Sequence, residues 1–307
     1  MTEASGRVLI AGAINTDLVA HVRKAPGAGE TVTGSSFAVF GGGKGANQAV
    51  AAARSGANTA MLGAVGEDDF GRQRLADLSV EMIDVGGVTV TDRAASGVAL
   101  IIVDETGQNR IAYVPGATAT ITPDQATAAL HRFQPRVLLT TLELPARALE
   151  SLFEEALAVG ATIINNATPE PSEGRKIAAL ADILIVNETE ASELLTVGPG
   201  ERDWLAVAHA LCGLGPRAAI VTLGAAGAVV GGEGVSERLP APKVEVVDST
   251  GAGDAFAGAF AARLASGADI LTAARVGVIA GSLAVTKAGA QPSMPRREEI
   301  EQMLGHA

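Results

Sequence analysis

Toward its C-terminal third the chain reads Val247-Asp248-Ser249-Thr250-Gly251-Ala252-Gly253-Asp254-Ala255-Phe256, a glycine-rich turn running into a long alanine-rich segment of helical character. The first backbone N–H groups of a helix have no acceptor inside it, and with the helix dipole they make a site for an anion. Gly251 and Gly253 carry no Cβ, so a phosphate can approach the main chain closely there. Asp254 is the unusual member, because a carboxylate beside such a site repels the anion. One reading gives it a chemical role, in which it takes the proton of a hydroxyl that attacks phosphorus. The other makes it an acidic complement to a helix N-terminus, a contribution of ~0.3–1 kcal/mol. Spacing alone leaves both open.

A second glycine-rich segment runs Gly41-Gly42-Gly43-Lys44-Gly45-Ala46-Asn47-Gln48-Ala49. It lacks the G-x-x-x-x-G-K-[ST] spacing of a Walker loop, and no G-x-G-x-x-G follows the apolar run Val8–Ile14. The missing dinucleotide fingerprint argues against a dehydrogenase. Lys44 and Asn47 offer donors suited to neutral hydroxyl oxygens; by itself the segment also reads as a helix-opening turn with a solvated lysine. Asn15 and Asp17 follow the first apolar run two residues apart, so in an extended chain both point one way. Glu143 follows the run Val137–Thr141, and Asn187 with Glu190 follows Ile183–Val186, where the pair also reads as a helix start. Thr222, Gly224 and Gly227 follow Ala219–Leu223 and also read as a plain turn. Singly these signals are weak. Their shared place after successive strands is the stronger one, because open α/β sheets bind ligands at the carboxyl ends of their strands.

The elements that must position these residues alternate. Strand-like runs recur at Val8–Ile14, Ala60–Val65, Val137–Thr141, Ala161–Asn165, Ile183–Val186 and Ala219–Leu223, with helical spacing at Ala46–Arg54, Asp68–Leu78 and Thr122–Phe133. Thr122-Pro123-Asp124-Gln125 opens the last of these as a capping box with Pro at the first helical position. Such alternation implies a mainly parallel sheet with right-handed crossovers. Two regions break it: residues 16–40, divided by a Pro/Gly turn at 25–29, and the hairpin Gly97–Val103 with Arg110–Val114. These four extended pieces are expected to form a small β-sheet lid from segments within 14–40 and 94–116, unless they extend the main sheet. Residues 254–287 read as nearly continuous helix, broken near Ser266-Gly267. The expectation is one α/β domain over residues 1–307.

Composition narrows the function classes. In 307 residues, 48% are hydrophobic, 19% charged and 3% aromatic, which excludes disorder and implies a core of Ala, Val, Leu and Ile. Lys+Arg number 23 against 34 Asp+Glu, a net charge of −11. That acidity makes nucleic acid and anionic membrane poor partners. Cys212, the one cysteine, lies in the apolar run Trp204–Leu214 and reads as a buried structural thiol. The N-terminus lacks the pattern of a signal peptide and no run reaches the ~20 apolar residues of a membrane span, so a cytoplasmic protein is expected.

From Gly12-Ala13-Ile14-Asn15-Thr16-Asp17 to Gly289-Ala290-Gln291-Pro292-Ser293, and above all at Gly42–Ala49 and Gly251–Asp254, the chain resembles the ribokinase-like (PfkB) carbohydrate kinases. Asn187-Glu188-Thr189-Glu190 and Thr222-Leu223-Gly224 stand in the family's order and spacing. The resemblance implies a three-layer sandwich with a β lid, and phosphorylation of a ribose-like pentose by ATP. It implies that Asn15, Asp17, Gly43, Lys44, Asn47 and Glu143 bind sugar hydroxyls, with Ala99, Ile101 and Ile111 as an apolar wall. Asp254 would be the base, and Gly251, Ala252 and Gly253 the anion hole. Asn187 and Glu190 would orient Mg²⁺ and its waters; Thr222, Gly224, Gly227 and Gly253 would line the nucleotide site. Asp248, Thr250, Ala284, Lys287, Gly289 and Ser293 match the family's potassium site, and lids pairing between subunits would make a homodimer. Val278 stands where a polar side chain is common near adenine, and Ser249 where Thr is commoner. Alternatives are a relative acting on 2-deoxyribose, fructose, a sugar acid or a nucleoside, or a sugar sensor without catalysis.

Overall fold

The computed structural model describes residues 6–167, 176–177, 179–196, 203–232 and 234–305. Among them, β1 (Arg7–Ala11), β2 (Asn15–Val22) and β3 (Gly34–Gly42) precede α1 (Lys44–Arg54). There follow β4 (Asn58–Gly66), α2 (Asp69–Val80), β5 (Asp84–Thr91), β6 (Gly97–Val103), β7 (Asn109–Val114), α3 (Pro123–Phe133), β8 (Val137–Thr141), α4 (Ala146–Ala158) and β9 (Thr162–Asn166). The remainder is β10 (Ile183–Asn187), α5 (Glu188–Leu194), α6 (Trp204–Cys212), β11 (Ala218–Thr222), β12 (Ala228–Gly232), β13 (Val235–Leu239), α7 (Ala252–Ala265), α8 (Ile270–Ala284) and α9 (Arg297–Leu304).

The main sheet has nine strands in the order β13-β12-β11-β10-β9-β8-β1-β4-β5. From β11 to β5 the pairings are parallel, and β12 and β13 add an antiparallel edge. Alternate residues of β1 enter different cores. Val8 and Ile10 pack with α1, α7 and α8 on one face, while Leu9 and Ala11 pack with α3 and α4 on the other. Burial on both faces is why these strands read as unbroken apolar runs. The result is a three-layer α/β sandwich, as expected. No helix among the described residues is long and apolar enough to cross a membrane.

The four irregular pieces form a separate sheet, β3-β2-β6-β7, rather than extending the main one. β2 and β6 run parallel, and β3 and β7 pair antiparallel to them. Register sorts its faces. Asp17 lies opposite Ala99, which lies opposite Tyr113; Val19 lies opposite Ile101, which lies opposite Ile111. Asn15, Asp17, Ala99, Ile101, Ile111 and Tyr113 therefore share one face.

Some boundaries differ from the sequence reading. The first strand stops at Ala11, because Gly12 turns the chain out of the sheet against α1: a Cβ there would sit 2.9 Å from Gly45 Cα. β3 continues to Gly42, two residues beyond 40. β5 and the β12–β13 hairpin have no counterpart in the apolar runs: β5 and β12 carry glycines, and β13 is mostly exposed. The helical break falls where expected, with Gly267 at φ +102° and Asp269 capping α8.

Candidate active site

The site begins with a helix contact. Gly258 of α7 lies so close to α1 that a Cβ would come 2.5 Å from the Gln48 carbonyl oxygen and 2.6 Å from Ala51 Cβ. One turn toward the N-terminus of α7 is Asp254, and one turn back from Ala51 and Ala52 are Asn47 and Gln48. Close packing of small residues thus presses these three side chains together. Asn47 Nδ2 donates to Asp254 Oδ2 at 2.9 Å, and Gln48 Nε2 donates to Asp254 Oδ1 at 3.0 Å. Gln48 Nε2 also reaches Asn166 Oδ1 at 2.8 Å, which ties the group to the carboxyl end of β9. Burial pushes Asp254 up to about 6; the hydrogen bonds from Asn47 and Gln48 and the charge of Lys44 pull it down, while Glu143 pushes it up. A carboxylate so held is ionised at neutral pH and basic enough to accept a proton.

Gly251 caps α7 in the left-handed region at φ +77°. The N–H groups of Gly253 and Asp254 lie in the first turn, where no helical carbonyl can accept them. A Cβ on Gly253 would meet nothing within 4 Å, so space opens in front of these groups. That space continues into a cleft of ≈560 Å³ reaching from Ala252 and Gly253 to Thr222, Gly224 and Gly227, with Val278, Val246 and Lys243 on its walls. The volume suits a nucleotide-sized ligand, and the apolar walls suit a flat base.

On the other side of Asp254 stands the lid. Asn15 and Asp17 start β2, and the Asp17 carboxylate lies over Gly42, where a Cβ would come within 2.2 Å of it. Burial pushes Asp17 up to about 6, offset in part by the Arg74 guanidinium. Arg74, buried on α2, donates to the Phe40 carbonyl at 2.8 Å and pairs with Asp77 at 2.8 Å, so it ties the root of the lid to the main domain. Glu143 Oε2 accepts from Ala13 N at 3.0 Å and Thr141 Oγ1 at 2.8 Å. Gly43 takes φ +90°, with its missing Cβ facing the Ala13 carbonyl.

Asn187 and Glu190 form a capping box: Asn187 Oδ1 accepts from Glu190 N and Glu190 Oε2 accepts from Asn187 N, each at 2.9 Å. The helix-start reading of this pair is thus what the geometry displays. Glu190 Oε1 lies 3.7 Å from Lys44 Nζ, which joins the first glycine-rich segment to the helix start after β10. Burial raises the Glu190 carboxyl, with a backbone hydrogen bond at Asn187 and the charge of Lys44 opposing.

The segments around Asp248 and Ser293 are bound together. Asp248 accepts from Thr250 N at 2.9 Å, Thr250 Oγ1 at 2.7 Å and Gly289 N at 2.8 Å. Despite the cost of partial burial, these bonds hold its carboxyl below the usual range. Buried Ser293 Oγ donates to the Ala290 carbonyl at 2.7 Å, and the Lys287 side chain pairs with Glu299, leaving Ala284 and Lys287 only backbone oxygens to offer. Among the described residues no cluster of three His, Cys, Asp or Glu could hold a metal. One ionised carboxylate with hydroxyl and carbonyl oxygens suits a hard, weakly held cation rather than a transition metal.

Sequence reasoning missed Gln48, Asn166, Arg74 and Tyr113. Gln48 stands within the glycine-rich motif, and the strand-end rule, applied to β9, points to Asn166. Arg74 carries no signal in the sequence, and Tyr113 only that it is the single tyrosine.

The description pfkB family carbohydrate kinase matches residues 5–297. The ribokinase of Staphylococcus aureus is 36% identical over 303 residues, covering 97% of this chain and 100% of the relative. The ribokinase of Bacillus subtilis is 37% identical over 298 residues, covering 97% and 99%. An Arabidopsis thaliana ribokinase solved with ribose and ATP superimposes with a TM-score of 0.87 at 28% identity, covering 98% and 99% of the two chains.

Proposed function

Because the chain belongs to the pfkB family of carbohydrate kinases, we propose that it moves the γ-phosphoryl group of ATP onto the 5-hydroxyl of D-ribose. The observation that carries this reading is the placement of Asp254. A buried carboxylate, oriented through both oxygens by Asn47 and Gln48, directly follows Gly253, which lines the nucleotide-sized cleft.

Asn15, Asp17, Lys44, Asn47 and Glu143 give the pocket mixed donors and acceptors for an uncharged, many-hydroxyl ligand, with Ala99, Ile101 and Ile111 as its wall. Leaving one such group unpaired costs about 1–3 kcal/mol, which is a basis for rejecting analogues that lack a hydroxyl. Asp254 takes the proton of the 5-hydroxyl as that oxygen bonds to phosphorus; the bond from phosphorus to the β,γ-bridging oxygen breaks and ADP leaves. The N–H groups of the Gly251–Gly253 turn and of Asp254 steady the transferring phosphoryl, a kind of contact typically worth ~10²–10³ in rate.

Glu190, with one oxygen held in its capping box, and Asn187 would hold Mg²⁺ through water, and that ion supplies charge neutralisation at the phosphates. Asp248, Thr250 and Ser293, with the backbone oxygens of Ala284, Lys287 and Gly289, would hold K⁺ beside the anion turn. The outer lid face joins two copies into a homodimer, and the enzyme works in the cytoplasm, where ATP is at hand.

A coupled assay of ADP release over pentoses, hexoses and nucleosides, with K⁺ or Na⁺, tests the reading. Ribose-dependent turnover that rises with K⁺ is expected. No sugar-dependent ADP, or a preference for a hexose or nucleoside, overturns it.

A further inference from the structure

We infer that Tyr113 is a specificity-determining residue carried by the lid, its phenolic hydroxyl donating to one of the pentose's ring hydroxyls. The inference rests on the pentose reading above and adds a contact that the motifs do not contain.

Tyr113 lies opposite Ala99, and Ala99 opposite Asp17, so the ring stands on the inner face of the lid, one pair along from Ile101 and Ile111. The other wall positions on β6 and β7 are aliphatic. This is the only tyrosine in 307 residues, in a chain with 3% aromatics. The hydroxyl has company from the binding side. The side chain of Asn15, itself 4% exposed, stands beside it, and Glu143 is near enough for its charge to act on it. Burial pushes the phenol up to about 12, with Glu143 adding to the rise and Asn15 opposing it, so the group stays a protonated donor throughout the neutral range. A phenol that keeps its proton can give it to an acceptor such as a sugar hydroxyl oxygen.

Exposure separates this role from packing. Tyr113 is 45% exposed, whereas a tyrosine serving only the sheet would have its ring covered. The oxygen Oδ1 of Asn15 is buried against Gly97, so the polar group that this stretch of the inner face offers beside Asp17 is the Tyr113 hydroxyl.

Tyr113→Phe removes the hydroxyl and keeps the ring. Steady-state kinetics are compared for the wild type and this variant on D-ribose, 2-deoxy-D-ribose, 3-deoxy-D-ribose and the 1-deoxy analogue. The expected result is a roughly tenfold rise in KM for ribose, the loss of one neutral hydrogen bond, falling on the sugar rather than on ATP. For the one deoxy sugar that lacks the contacted hydroxyl, the two enzymes should have equal KM. An unchanged KM for ribose, or one factor lost equally on every sugar, overturns the role of Tyr113 and leaves the ribose reading standing. A wild type that phosphorylates no pentose overturns both.

Discussion

Asp254 is caught between two demands. As the proposed base it must be ionised to take a proton and basic enough to want one, and burial places it at about 6. Asp17 is pushed to about 6 as well. Both acids gain protons as pH falls through that value, so kcat/KM for ribose should drop on the acid side of about pH 6; a pH–rate profile flat down to about pH 5 would remove the base from Asp254. Asp254→Asn should cut kcat by at least ~10² while ATP binding, read by calorimetry, persists. The same substitution tests linkage. The folded value lies above the ordinary 3.8, so the stabilising effect of protonation is complete below about pH 4 and lost as pH rises through about 6. The Tm of Asp254→Asn relative to wild type should therefore be more favourable at about pH 7.5 than at about pH 5. A pH-independent difference would contradict the raised carboxyl.

At the scale of elements, the decisive contact is α7 on α1. Gly258 permits it, and the Asp254–Asn47–Gln48 group exists because the two helices touch one turn away. Gly258→Ala inserts a methyl group facing backbone at 2.5 Å, where nothing flexible can give way. Overpacking of this kind costs about 1–3 kcal/mol. Urea denaturation should show that loss, and kcat should fall although residue 258 touches no ligand. If stability drops with kcat intact, the helix contact does not position the base. The capping box of α5 acts in the same spirit, fixing one oxygen of Glu190 and turning the other toward Lys44.

For the whole molecule, the lid presents a mixed polar and apolar face inward and an apolar one outward. Inward, Asn15, Asp17 and Tyr113 stand among Ala99, Ile101 and Ile111; outward are Phe37, Leu100 and Val114 at 65%, 49% and 54% exposure. An apolar sheet face open to water is a partner surface, and the homodimer proposed above covers it with a second copy. Leu100→Glu should shift sedimentation velocity toward the monomer at micromolar concentration and weaken ribose turnover, since each lid would lose its support. Equal sedimentation coefficients for mutant and wild type would detach the lid from assembly. The net charge of −11 fits the proposed local design, in which an anionic nucleotide would be held by the helix turn and not by attraction to the whole surface.

Much of this was written in local pattern. Strands buried on both faces read as apolar runs, Thr122 and Gln125 cap α3 as their spacing implies, and the glycine-rich motifs mark both sides of the site. These features depend on neighbours in the chain, so the chain alone reveals them. Tertiary structure decided what depends on contact across distance. It paired Asn47 and Gln48 with Asp254, set Lys44 against Glu190, put Arg74 under the lid and turned Tyr113 inward. Helix approach distance and strand register create those meetings, and neither is a property of a residue and its sequence neighbours.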